Sequence, residues 1–90
     1  MGLSDLTRNA VLAAVQEFDQ LGRDAFLRQY GSRPAREYFL LINGRRYDSK
    51  PIAGVAHKFA VPSEGPLRSS NFSGGEATVA RVLGQLGFSV

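Results

Sequence analysis

The sequence contains no cysteine, which excludes disulfides and thiolate metal sites and makes a cytosolic location the natural reading. It has a single histidine, His57, which excludes a multi-histidine metal centre; no metal and no cofactor is assigned. No apolar run approaches the roughly 20 residues that cross a bilayer, and Met1-Gly2-Leu3-Ser4 does not open a signal peptide, so a soluble protein is expected. Internal repeats and low-complexity segments are missing as well. No motif sets a pair of carboxylates or a nucleophile beside a base, so nothing resembles a nuclease centre and a non-enzymatic domain is expected.

What is present fits one small domain. Ninety residues bury roughly 60–65% of the surface their unfolded chain exposes. Six Phe, three Tyr and a normal aliphatic content supply a modest core. The net charge of +3 is unevenly placed. Residues 1–22 hold Arg8 against Asp5, Glu17 and Asp19, a balance of −2. Residues 23–58 hold Arg23, Arg28, Arg33, Arg36, Arg45, Arg46, Lys50 and Lys58 against Asp24, Glu37 and Asp48, a balance of +5. The remainder is neutral, with Arg68 and Arg81 offset by Glu64 and Glu76. Such asymmetry points to a basic face able to meet a polyanion, although arginines in local ion pairs give the same count.

Local signals predict an α+β domain: two N-terminal helices, a β-hairpin, two further helices and a short C-terminal strand. Ser4 is a cap for the first helix, whose apolar face is Val11, Ala14, Val15, Phe18 and Leu21, with Gly22 to end it. A shorter segment from Asp24 carries Phe26, Leu27 and Tyr30 and stops at Gly31. Tyr38 to Ile42 is apolar on both alternating faces, the pattern of a central strand covered on both sides. Asn43-Gly44 then predicts a two-residue type I′ turn, because both residues tolerate positive φ. Asp48-Ser49 offers an N-cap for a third helix with Ile52, Val55, Ala56 and Phe59 on its apolar face. After a loop from Val61 to Pro66 and an irregular stretch to Phe72, Ser73-Gly74-Gly75-Glu76 fits a capping box. Val79, Val82, Leu83 and Leu86 give the last helix its face, Gly87 is its C′ residue, and Phe88-Ser89-Val90 reads as a strand. A chain ending there would be expected to run on, which predicts a domain of residues 1–90 excised from a longer protein.

Three runs carry a resemblance: Tyr47-Asp48-Ser49-Lys50-x-Ile52-x-Gly54-x-Ala56, Asn71-Phe72-Ser73-Gly74-Gly75, and Leu83-x-x-Leu86-Gly87-Phe88. Together, over residues 24–90, they resemble the N-terminal head domain of ScoMcrA-like restriction endonucleases, the type IV, modification-dependent enzymes of bacterial defence. Related copies of the pattern precede HNH nuclease domains. The resemblance implies a double-stranded DNA-binding accessory domain, with the reading of 5-methylcytosine or phosphorothioate and the cutting left to other domains of the parent nuclease.

The candidate DNA contacts follow from charge and position. Lys50 stands at a helix start, where a cation opposes the dipole and a phosphate between its ammonium and the first-turn amides removes the conflict; Ser49 stands beside it. Arg45 and Arg46 follow the hairpin turn on opposite faces, and Lys58 adds charge at the side. Arg68, Ser69, Ser70 and Asn71 offer donors to phosphates or base edges. Ser73, Gly74 and Gly75 let an anion approach the backbone. Phe72 is expected to anchor its loop to the core, and His57 to be a surface or satisfied helix residue rather than a ligand reader. The rival reading is a protein-interaction or dimerisation module of a larger nuclease, which predicts an exposed apolar stripe, for instance on the first helix, and little salt sensitivity.

Overall fold

The computed structural model describes residues 2–68 and 75–90 and folds them as α+β. Asn43 and Gly44 take φ of 51° and 79°, as a type I′ turn demands. The turn folds β1 (Phe39–Ile42) back on β2 (Arg45–Asp48) in antiparallel register, with Ile42 opposite Arg45 and Phe39 opposite Asp48. Leu40 is fully buried, whereas Leu41, on the other face, stays 46% exposed. The expectation of a strand covered on both faces is therefore corrected. The described residues supply one helical layer, and the opposite face is covered only in part, by the Arg46 guanidinium 4.2 Å from the Phe39 ring centre. The expected C-terminal strand is one bridge, in which the Leu41 amide donates to the Ser89 carbonyl at 2.8 Å.

The first long helix, α1, runs Arg8–Leu21 and is capped by Thr7, whose hydroxyl accepts from the Ala10 amide at 3.1 Å. Ser4, the expected cap, lies instead in a 3-10 turn, Leu3–Asp5. Thr7 wins because Leu6 before it and Val11 after it are both buried, the N′ and N4 positions of a hydrophobic staple. Gly22, at φ 85° and ψ 155°, both closes α1 by donating to the Phe18 carbonyl and opens α2 (Arg23–Gln29) by accepting from the Phe26 amide. That backbone region is open essentially to glycine alone, so two helices meet with no linker. Phe18, Phe26 and Tyr47 then pack ring against ring, with centroids 5.0 Å apart for both Phe18 pairs.

The third long helix, α3 (Ser49–Ala60), leaves β2 directly, and its residues Pro51 to His57 are all buried. A helix with no polar face belongs inside, and α1 and α4 (Glu76–Gln85) provide the walls. Val11, Ile52, Val79 and Leu83 meet in one core, each fully buried and contributing about 1.5–3 kcal/mol. At helix ends this cover runs out: Leu21 and Phe59, both expected inside, are 39% and 41% exposed. The helix stops are as expected. The Ser32 amide reaches the Leu27 carbonyl after Gly31, and the Phe88 amide reaches the Leu83 carbonyl after Gly87, at 2.9 and 3.1 Å. The start of α4 differs. Gly75 is the N-cap, which puts Glu76 at the first helical position rather than the third. The capping box is not formed by Glu76, whose carboxylate accepts from the Arg36 and Tyr38 amides, and Ser73 lies outside the described residues.

Candidate nucleic-acid interface

The local architecture begins with Asp48, a carboxylate 1% exposed at the junction of β2 and α3. The Asp48 side chain does not cap α3. It accepts from Arg23 Nε and Nη2 at 2.9 and 2.8 Å and from the Ala35 amide at 2.8 Å. Burial alone would raise the Asp48 pKa; the fork from Arg23 and the Ala35 amide outweigh it and hold the carboxyl below its ordinary 3.8. The same pairing raises the pKa of Arg23. One buried carboxylate thus fastens the start of α2 and the connector after it to the N-terminus of α3. Ser49, fully buried, adds a second tie by donating its hydroxyl to the Tyr38 carbonyl at 2.8 Å.

With the connector fixed, a cleft of about 990 Å³ opens between the end of α2, the connector and the first turns of α3 and α4. Its basic lining is Arg28, Arg33, Arg36, Lys50 and Arg68. The four arginines are exposed and Lys50 is half-buried. Glu76 is the acidic residue of the lining, and its carboxylate already takes two backbone amides from the connector. Pro51 and Gly75 also line the cleft, so two helix N-termini, each the positive end of its dipole, border the same basic space. Guanidinium forks and an ammonium around one groove are the chemistry that suits an anion.

The sequence-predicted residues divide. Lys50, Arg68 and Gly75 line this cleft. Ser69, Ser70, Asn71, Ser73 and Gly74, with Phe72, lie outside the described residues. Ser49 is turned inward, as above, and is no surface donor. Lys58 is also occupied: its ammonium donates to Glu17 Oε1 at 2.9 Å and to the Tyr30 hydroxyl, which in turn donates to Glu17. Burial lowers the Lys58 pKa, and the bonds to Tyr30 and Glu17 more than reverse it. Arg45 stands 3.4 Å from Asp19 in a separate groove between α1 and the hairpin, and Arg46 lies over Phe39; neither lines the cleft. His57 is, as expected, a satisfied helix residue, with Nδ1 donating to the Gly65 carbonyl at 2.8 Å.

Arg28, Arg33 and Arg36 line the cleft and were not among the sequence candidates. Their signal was in the charge count, which placed them in the basic segment, but no motif separated them from its other arginines.

No curated protein and no solved structure matches the chain. The profile of the ScoMcrA-like N-terminal head domain matches residues 4–90, nearly the whole chain and through every element that walls the cleft. On a match of that extent, this chain belongs to the ScoMcrA-like N-terminal head domain family.

Proposed function

We propose that this domain binds double-stranded DNA, chiefly through phosphates, as a non-catalytic accessory of a modification-dependent HNH restriction endonuclease. The observation that carries the reading is the cleft, where five basic side chains and two helix N-termini surround a single, already engaged carboxylate. Duplex DNA presents regularly spaced phosphates, and neutralising several at once gives affinity without base reading. Membership of the head-domain family supports association with restriction. The proposed contact surface keeps Lys50, Arg68, Gly75 and the stretch between the last two, and replaces the hairpin arginines, Ser49 and Lys58 with Arg28, Arg33 and Arg36. Reading of a modified base and cutting belong to other domains of the parent nuclease, the domain's partners in a cytoplasmic defence enzyme.

The interaction-module alternative finds less support. The two exposed leucines of α1, Leu12 and Leu21, stand nine residues apart, which at about 100° per residue sets them on opposite sides of the helix rather than in a stripe.

The test is a salt series on a short duplex, unmodified and 5-methylated. Engagement of three to five phosphates gives a slope of log K on log salt of roughly −3 to −4.5. Equal affinities mark a backbone reader, and a preference for the methylated duplex adds base contact. Absence of binding at low salt sinks the proposal.

A further inference from the structure

We propose that Asp5, His57 and Glu64 form a binding site for one divalent transition-metal ion of the zinc type. The three come from the 3-10 turn, α3 and the loop after α3, and their ligand atoms lie within 4.8 Å of one another. His57 is fully buried. Its Nδ1 donates to the Gly65 carbonyl at 2.8 Å, which orients the ring so that Nε2 faces the two carboxylates. Nε2 stands 3.4 Å from Asp5 Oδ2 and 3.6 Å from Glu64 Oε1.

Both gaps are longer than the roughly 2.7–3.2 Å of an ordinary N–H···O bond. The two His57 distances match the about 3.3–3.6 Å that a tetrahedral ion with bonds of about 2.0–2.2 Å sets between its ligand atoms, and the Asp5–Glu64 pair, within 4.8 Å, closes by rotation of the exposed Glu64 side chain. A buried imidazole Nε2, anchored through Nδ1 to a backbone carbonyl and aimed between two carboxylate oxygens, is the ligand and second shell that such ions take. Glu64 is held by a turn in which its amide donates to the Val61 carbonyl at 3.0 Å, and its exposure leaves the fourth position to solvent.

One imidazole and two carboxylates suit zinc, cobalt or nickel, whereas calcium and magnesium favour all-oxygen shells. The ion would staple the amino-terminal turn and the 61–66 loop to α3. That loop leads straight to Leu67, whose amide donates to the Gly54 carbonyl at 2.9 Å, and to Arg68 on the cleft wall. The site stands or falls independently of DNA binding.

The experiment uses the untagged, EDTA-dialysed protein titrated with zinc chloride in a calorimeter and in thermal melts. One zinc per chain is expected. At a hundredfold excess of free zinc over Kd, Tm should rise by about 10 °C or more for a domain of this size. Magnesium and calcium should not reproduce the rise. Because replacing buried His57 endangers the fold, the variants are Glu64→Gln and Asp5→Asn. Each should keep a folded apo form and bind zinc about tenfold or more weakly. Cobalt loading should give the visible spectrum of a nitrogen-ligated tetrahedral site in the wild type and lose it in Glu64→Gln. Equal zinc affinity in wild type and Glu64→Gln overturns the proposal, as does calcium binding as tightly as zinc. Failure to bind millimolar zinc also overturns it and leaves His57 as a buried ion-paired side chain.

Discussion

The two ends of α3 treat charge in opposite ways. At its N-terminus the acid is inside: Asp48 is buried and fastened by Arg23 and Ala35, while Lys50, two residues on, lines an open basic cleft. At its C-terminus the basic groups are inside: His57 faces Asp5 and Glu64, and Lys58 is taken up by Glu17 and Tyr30. A helix dipole favours cations at the C-terminus and disfavours them at the N-terminus. Lys58 therefore sits where the dipole favours it, and Lys50 sits where the dipole disfavours a cation. Eight residues separate two lysines of the same helix, one facing its cleft and one committed to its interior.

Removing the acid at the N-terminal end should have the largest effect on that contrast. Asp48→Ala strips half-exposed Arg23 and the Ala35 amide of their shared acceptor, which costs about 1–3 kcal/mol. Urea unfolding measures the loss, and the cleft should fail with its wall, so that residual folded protein binds duplex DNA poorly. The pH dependence follows from the same pairing. The folded Asp48 pKa lies below the ordinary 3.8 and that of Glu17 below 4.5, Glu17 because the bonds from Tyr30 and Lys58 outweigh its burial. Above about pH 4.5 their contribution is fully present; below it the unfolded chain takes up protons first, and stability falls as pH drops through the depressed folded values. Asp48→Asn should flatten that acid limb below pH 4, and an unchanged limb would show that Asp48 is not held ionised by Arg23.

The two lysines give the next two effects, and they should separate. Lys50→Ala should weaken duplex binding by about tenfold, reduce the salt slope by about 1 and change stability by less than about 1 kcal/mol. Lys58→Ala should do the reverse, costing about 1 kcal/mol of stability through the partly buried Glu17 and Tyr30 it leaves behind, with the salt slope unchanged. If both variants lose stability alike and neither changes DNA binding, Lys50 is a structural residue and the contrast between the helix ends disappears.

Much of the fold was legible because its signals are local. Asn43-Gly44 fixed the hairpin through two φ angles, and Gly22, Gly31 and Gly87 each stopped a helix where the apolar period ended. The carboxylates were not legible. Asp48 and Glu76 each looked like a cap for the helix they precede or open, since a side-chain oxygen beside unsatisfied amides is the local optimum. Each instead serves amides of the connector between α2 and β1, and Asp48 also the Arg23 guanidinium at the start of α2, 13 to 40 positions away in sequence, which no local pattern encodes. The candidate site suffered for the same reason. Lys50 announced itself by standing at the wrong end of a helix, but Arg28, Arg33 and Arg36 become neighbours of Lys50 only after Asp48 has pulled the connector onto α3. His57 carried no motif either, because Asp5 lies 52 residues away.

Arg45 should give the smallest effect and the sharpest control. It is as basic as the cleft arginines and follows the Asn43-Gly44 turn, yet its side chain is 70% exposed and lies 3.4 Å from a half-exposed Asp19. An ion pair of that kind is worth about 0.5 kcal/mol or less, so Arg45→Ala should leave the urea midpoint nearly unmoved. Its groove, between α1 and the hairpin, contains Asp19 and is distinct from the cleft. Removing it lowers the net charge by the same single unit as Lys50→Ala. Long-range attraction to DNA, which responds to total charge, should therefore weaken by the same small amount in both variants, visible in the association rate at low salt. Only the contact at the cleft should distinguish them, as a change in salt slope for Lys50→Ala and none for Arg45→Ala. Equal slopes in the two variants would mean that DNA meets the whole basic surface, hairpin included, and that the cleft is not the point of contact.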